Sequence, residues 1–168
     1  MNAAALVSIA IGVVVERRKA ESPWLDYTWG VTEVLPGAVE ASPWTPVGLK
    51  DATDKFYAGS AHIHLYRTEA SNYQDNLASG SPRLWVVLRA TEGRWPYALL
   101  TVTADPSEGE AATEAGDDLV EAVAMPESVR QALEVFVAEH LIDRPFFKRQ
   151  RDRSEREVRS RRPRQGEA

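Results

Sequence analysis

The chain has 168 residues, of which 43% are hydrophobic and 27% charged; this balance is typical of a globular domain and excludes whole-chain disorder, collagen and coiled coil. It contains no cysteine, which excludes disulfides, thiolate metal sites and a cysteine nucleophile. Residues 1–147 carry 11 Lys and Arg against 21 Asp and Glu, a net charge of −10, whereas residues 148–164 carry nine against three, a net charge of +6. We therefore expect one domain over residues 1–147 and a basic, disordered tail over 148–168.

The most apolar segment of the chain is residues 3–15, which are rich in β-branched side chains. They are too few to span a bilayer as a helix, and no charged residue precedes them as in a secretion signal. The segment therefore favours a buried strand, at residues 8–17, over an uncleaved anchor or a secretion signal. We expect no membrane span and a cytoplasmic location.

Five later segments have the composition of strands, and residues 84–88 with 97–103 form the clearest hairpin, with Glu92-Gly93 at its turn. The predicted strands are 29–35, 56–68, 84–88, 97–103 and 119–124. Between them we predict a loop over 37–55, a polar segment ending in a turn over 72–81, and a solvated loop or short helix over 105–118.

The one clear helical pattern begins near Pro126 and is expected to end at Pro145. Its apolar stripe consists of Val129, Leu133, Phe136, Val137 and Leu141. Strands first and one long helix last predict an α+β fold, with a mostly antiparallel β-sheet or open barrel packed against the C-terminal helix.

The sequence lacks the motifs of common catalytic sites: it has no glycine-rich phosphate loop, no Gly-x-Ser-x-Gly elbow and no His-Glu-x-x-His helix. His62 and His64 share one strand face with Tyr66 and form a candidate ligand-binding set. As metal ligands the two histidines need a third, His140 or a carboxylate, which the spacing does not supply; a wet sheet face is the alternative. We predict no catalytic residue, no metal and no cofactor.

Five tryptophans are many for this length, and we place Trp85 in the core. Trp24, Trp29 and Trp44 lie near predicted loops, where they line a groove for a partner or simply pack over one end of the sheet.

The candidate protein-binding surface combines Arg17 and Arg18 with Trp24 and Trp29. A second contact is predicted at Phe146, Phe147, Lys148 and Arg149, where the tail begins. The tail could contact nucleic acid, dock on an acidic protein surface or only aid solubility. Nucleic acid is disfavoured because no aromatic residue interleaves with the arginines and the rest of the chain is acidic.

A set of ordered blocks across residues 8–151 resembles a proteobacterial family of unknown function, usually encoded beside formate dehydrogenase genes and their accessory factors. Some of its members carry the label "molybdopterin-guanine dinucleotide biosynthesis protein A". The blocks are Gly12-Val-Val-Val-Glu-Arg-Arg-Lys19, Ser22-Pro23-Trp24 with Trp29, Val34-Leu35-Pro36-Gly37, Phe56-Tyr57-Ala58-Gly59, Leu65-Tyr66-Arg67-Thr68-Glu69 with Tyr73 and Asn76-Leu77, Ser81-Pro82-Arg83-Leu84-Trp85-Val86-Val87-Leu88-Arg89, Met125-Pro126-Glu127 and Pro145-Phe146-Phe147-Lys148-Arg149.

A guanylyltransferase of that label needs a glycine-rich loop after its first strand, and here that strand runs into Glu16-Arg17-Arg18-Lys19. No catalytic residue therefore carries over. The resemblance implies a non-catalytic accessory protein that binds a partner, a formate dehydrogenase subunit or accessory factor, in maturation or assembly of a molybdenum-dependent formate dehydrogenase. The alternative is a binder of a pterin or guanine nucleotide in molybdenum cofactor supply, at His62, His64 and Tyr66.

Overall fold

The computed structural model describes residues 4–50 and 53–141. In chain order the elements are β1 (Val7–Lys19), β2 (Tyr27–Pro36), β3 (Thr45–Lys50), β4 (Thr53–Leu65), a 3-10 helix (Arg67–Glu69), α1 (Ala70–Ala78), β5 (Arg83–Ala90), β6 (Tyr97–Thr103), α2 (Pro106–Glu114), β7 (Leu119–Ala124) and α3 (Glu127–His140). The predicted basic tail lies outside the described residues. The last helix ends at His140 rather than at the predicted Pro145, because Leu141 is already extended. None of the described helices is long and apolar enough to cross a membrane.

The strands form two antiparallel sheets, with the order β2-β1-β4-β3 in one and β6-β5-β7 in the other. The sheets adjoin where β4 lies beside β6 and where β2 lies beside β7. At the second junction the backbone N–H of Val31 donates to Glu121 Oε2 at 2.5 Å. The predicted antiparallel arrangement is confirmed, and its strands divide between two sheets.

The hydrophobic core lies between the sheets and is closed by α1 and α3. In β1, the alternate residues Ile11, Val13 and Val15 are fully buried. Leu84, Val86 and Leu88 contribute the same pattern from β5, and α3 adds Val129, Leu133, Phe136 and Val137. The predicted buried strand at the N-terminus and the predicted stripe of α3 are therefore confirmed, except that Leu141 follows the helix end and is 37% exposed.

The long C-terminal helix is confirmed as α3, and α1 is a helix that the sequence pattern did not predict. The α1 sequence is polar and carries no long apolar stripe, so tertiary contacts with α3 stabilise it rather than its own pattern. For α2, the helical alternative is confirmed: Asp105 caps it, its Oδ1 accepting from the N–H of Ser107 at 2.8 Å, and Pro106 occupies the first turn. The predicted loop over 37–55 also contains β3 and the start of β4.

A buried asparagine joins α1 to the three-stranded sheet. The side chain of Asn76 is almost fully buried, and its Nδ2 donates to the carbonyls of Arg83 at 2.8 Å and Ala104 at 2.9 Å. Its Oδ1 accepts from the N–H of Arg83 at 3.0 Å. Arg83 is the first residue of β5, and Ala104 directly follows β6. One side-chain amide therefore forms hydrogen bonds with backbone groups at the point where the pairing of β5 with β6 has ended.

Trp85 is half-buried on the outer face of β5, where α2 covers it, so its predicted place in the central core is wrong. A Cβ on Gly109 of α2 would lie 2.3 Å from Trp85 Cγ, inside any allowed contact distance. The indole therefore packs directly on the helix backbone, which only glycine permits at this position.

Carboxyl groups gather beneath α1. Burial and the nearby charge of Asp105 raise the pKa of Glu69 above its ordinary value. Asn72 Nδ2 donates to Glu69 Oε2 at 2.9 Å and to Asp105 Oδ2 at 3.3 Å. Burial likewise raises the pKa of Tyr73 to about 12, while its hydroxyl accepts from the N–H of Tyr66 at 3.0 Å.

The raised pKa of Glu69 predicts that Glu69→Gln stabilises the protein near neutral pH. A raised pKa means that the folded state favours the protonated carboxyl. The contribution of this carboxyl to the free energy of unfolding is therefore complete below its ordinary pKa of 4.5 and is lost as the pH rises through the folded-state pKa. Glutamine keeps the acceptor for Asn72 and carries no charge. We expect less than about 1 kcal/mol of extra stability at neutral pH, shrinking to zero in acid, in urea titrations across the pH range.

The matched control is Glu110→Gln on the exposed face of α2. If Glu69→Gln does not raise the free energy of unfolding at neutral pH, or raises it equally in acid, the raised pKa of Glu69 is contradicted.

A candidate partner-binding groove

An open groove lies at the end of the sheets where the β1–β2 and β5–β6 hairpins meet the entry to β3. Its volume is about 660 Å³. Its lining side chains are apolar or basic except for one hydroxyl, that of Thr45; they are Arg17, Pro43, Trp44, Thr45, Pro46, Phe56, Arg94 and Trp95. We call this feature the aromatic groove.

The wall of the groove is a cluster of aromatic rings from both sheets. Trp44 and Trp95 stack with their ring centres 5.3 Å apart and their planes 13° from parallel. The ring centre of Phe56 lies 5.0 Å from that of Trp95. Trp29 packs edge to face against Trp44, with their ring centres 5.7 Å apart. Stacked and edge-to-face contacts of this kind are favourable beyond their buried area, so the wall is preformed.

Trp44 is held in an unusual backbone conformation. Its φ of 68° lies in the left-handed region, which costs a side-chain-bearing residue free energy. Its N–H donates to the carbonyl of Tyr57 at 2.6 Å, and the hydroxyl of Thr45 donates to the carbonyl of Ser42 at 2.7 Å. The turn thereby fixes the indole against Trp95, and backbone strain at such a position is common in binding sites.

Arg17 is fixed at the inner end of the groove. Its Nη2 and Nε donate to Asp54 Oδ2 at 2.6 Å and 3.1 Å, and its side chain is 24% exposed. The guanidinium carbon lies 4.4 Å from the ring centre of Tyr27 and 5.1 Å from that of Phe56. Aromatic faces and one carboxylate thus hold Arg17 in one orientation, with Nη1 outside the bonds to Asp54.

Arg94 projects from the β5–β6 turn at the rim. Its guanidinium carbon lies 5.3 Å from the ring centre of Trp95. The turn is closed by Thr91, whose N–H donates to the carbonyl of Pro96 and whose hydroxyl donates to that of Trp95, both at 2.8 Å. Within residues 4–50 and 53–141, no ion pair engages the exposed side chain of Arg94.

The structure separates the residues of the predicted partner surface. Arg17 lines the groove and Trp29 lies behind its wall. Arg18 points to the opposite face of β1, is 64% exposed, and donates from Nε to Glu16 at 3.1 Å. Trp24 is 90% exposed in the loop between β1 and β2. The second predicted contact, at Phe146, Phe147, Lys148 and Arg149, lies outside the described residues.

The predicted ligand set is not part of the groove. His62 and His64 lie exposed on the outer face of β4 with ring centres 6.2 Å apart, and His64 Nδ1 is 2.9 Å from the hydroxyl of Ser8. Tyr66 lies beyond the end of β4. His140 is elsewhere, against Phe136 of α3, and the described residues contain no group of three side chains suited to a metal ion.

Phe56, Arg94 and Trp95 were not singled out from the sequence, although they line the groove. A usable signal was the run Arg94-Trp95-Pro96 directly after a predicted hairpin turn, because a tryptophan next to an arginine in a turn favours a binding role. The sequence offered no comparable signal for Phe56, which reads as an ordinary strand residue.

Comparison with known proteins identifies the family of this chain. Residues 10–151 match the family described as "Protein of unknown function (DUF3305)". No curated protein and no solved structure matches the chain. Because the match spans most of its length, the chain belongs to the DUF3305 family of proteins of unknown function.

Proposed function

We propose that this chain is a non-catalytic accessory protein whose aromatic groove binds a segment of a partner protein. The observation that carries the proposal is the composition of the groove: two arginines lie beside a half-buried Trp95, which stacks on Trp44 in a preformed, open site. Trp44 is 9% exposed and Phe56 3%, so they form the base of the groove and Trp95 its accessible aromatic surface. Tryptophan and arginine are the residues most enriched at the energetic centres of protein interfaces.

The lining of the groove also favours a protein segment over a pterin or guanine nucleotide. Guanine and pterin rings present N–H donors, for which a binding site supplies carboxylate or carbonyl acceptors. Among residues 4–50 and 53–141 no carboxylate lines the groove, and the nearby Asp54 already accepts from Arg17. Trp44 and Trp95 stack on each other, which leaves no slot between them for a planar ring.

The biological setting of the proposal comes from the sequence. The ordered blocks described above resemble a family encoded beside formate dehydrogenase genes, and they span nearly the same residues as the family match. We therefore take the partner to be a subunit or accessory factor in the cytoplasmic maturation or assembly of a molybdenum-dependent formate dehydrogenase.

The test is an affinity pull-down of the tagged full chain from its native host grown with formate. We expect formate dehydrogenase subunits or accessory factors to be enriched with the native chain, and Arg94→Glu to reduce their recovery about tenfold. The reversal puts a carboxylate beside Trp95 at the rim of the groove, where it repels an incoming anionic group. Quantitative mass spectrometry of the eluates gives the measurement.

Arg18→Glu is the matched control, since Arg18 is an exposed arginine on the opposite face of β1. Equal loss with both variants would show a general charge effect and contradict a role for the groove. Recovery of the same partners with Arg94→Glu as with the native chain would also contradict it.

A further inference from the structure

The groove contrasts in charge with the protein around it. Residues 1–147 carry a net charge of −10, yet the charged side chains that line the groove are both arginines. Asp54 offsets the charge of Arg17, so Arg94 supplies the uncompensated positive charge among the described lining residues. A local positive charge at a groove attracts an anionic group of a ligand, and on an acidic protein it marks the groove as the place where such a group can dock.

The two arginines differ in what they offer a ligand. Arg17 is held between aromatic rings and Asp54, so it presents Nη1 in a fixed position at the inner end. Arg94 is exposed on a turn and can close over a bound group from the rim. A carboxylate accepts such arginine donors in short, charge-assisted hydrogen bonds.

The apolar part of the groove fits an extended chain. Its accessible apolar surface comes from the half-buried Trp95 and from the exposed prolines Pro43 and Pro46, while Trp44, 9% exposed, supports Trp95 from beneath. Aromatic ridges of this type recognise proline-containing segments in the polyproline II conformation, which is formed in advance and loses little entropy on binding. Strand addition fits less well, because Pro46 and a register irregularity interrupt β3 on this side of the sheet.

Resting on the proposed function, we propose that the partner segment is acidic and proline-containing, and that it binds extended over the accessible face of Trp95. A carboxylate of the segment pairs with Arg94, and its proline rings lie on the indole wall. The chemistry of the groove thus defines the class of partner: an acidic, extended peptide segment rather than a basic or nucleic-acid surface.

The test uses the full chain and three nine-residue probe peptides that repeat Glu-Pro-Pro, Gln-Pro-Pro or Lys-Pro-Pro. Calorimetric titration should give the tightest binding for the Glu-Pro-Pro peptide, about tenfold tighter than for Gln-Pro-Pro, and no binding for Lys-Pro-Pro. Arg94→Glu should weaken binding of the Glu-Pro-Pro peptide about tenfold or more, and Arg18→Glu should leave its affinity unchanged. Raising the salt concentration should weaken the Glu-Pro-Pro peptide more than the Gln-Pro-Pro peptide.

Three results would overturn the inference. They are equal affinity for the Glu-Pro-Pro and Gln-Pro-Pro peptides, an affinity for the Glu-Pro-Pro peptide that Arg94→Glu does not change, or no peptide binding at all. Binding of GTP that Arg94→Glu abolishes, without peptide binding, would also overturn it and assign the groove to a phosphate-bearing ligand. The outcome is separate from that of the pull-down. If Arg94→Glu loses the cellular partners while no peptide binds, the proposed function stands and only the peptide chemistry fails.

Discussion

Replacing Asn76 with alanine is expected to destabilise the protein by about 3 kcal/mol, because three backbone groups, one buried and two partly buried, lose their hydrogen-bond partner together. These groups are the N–H and carbonyl of Arg83, at the start of the central strand β5, and the carbonyl of Ala104, just after β6. Each unsatisfied buried group costs about 1–3 kcal/mol, and water reaches this site poorly since Asn76 is 4% exposed. Urea unfolding followed by circular dichroism measures the loss.

Gln74→Ala is the matched control, as Gln74 is an exposed amide on the same helix. We expect its effect to stay within about 0.5 kcal/mol. If the two variants unfold at the same urea concentration, Asn76 does not join α1 to the sheet in the way described.

Replacing Gly109 with alanine is expected to destabilise the protein by about 2 kcal/mol, the opposite of the usual effect in a helix. Alanine ordinarily stabilises a helix interior by about 1 kcal/mol relative to glycine. Here the new Cβ would lie 2.3–2.6 Å from Trp85 ring atoms. The indole is rigid, so α2 must move away from β5, and overpacking of this kind costs about 1–3 kcal/mol beyond any gain in propensity.

The sign of the Gly109→Ala effect should reverse when the indole is removed. In a Trp85→Leu background the added methyl group has space, and the alanine should be neutral or stabilising by up to about 1 kcal/mol. A double-mutant cycle in urea measures this coupling. Equal destabilisation in both backgrounds would mean that Trp85 does not limit the packing of α2.

The local chemistry of the chain already determined the strands and the last helix. Alternation in β1 and β5, the hairpin turn before β6 and the stripe of α3 follow from side-chain periodicity, which a single segment records by itself. The resemblance in ordered sequence blocks also led to a family of unknown function, and the match over residues 10–151 confirms that level of assignment.

Only tertiary structure decided α1 and the position of Trp85. The polar sequence of α1 becomes helical because Tyr73 and Asn76 are buried against other elements, and no local pattern records that burial. Trp85 carries the apolar character of a core residue, but strand alternation places it on the outer face of β5, under a glycine of α2.

The aromatic groove likewise depends on contacts between distant segments. The sequence drew attention to Arg17, Trp29 and Trp44 through the number of tryptophans and the basic run, but it could not separate Arg17 from Arg18, which face opposite sides of β1. Trp44 and Trp95 meet across the two sheets, and the left-handed turn at Trp44 sets their stack. Periodicity within one segment determines which side chains are buried, whereas the packing of one sheet on the other determines which exposed side chains share a site.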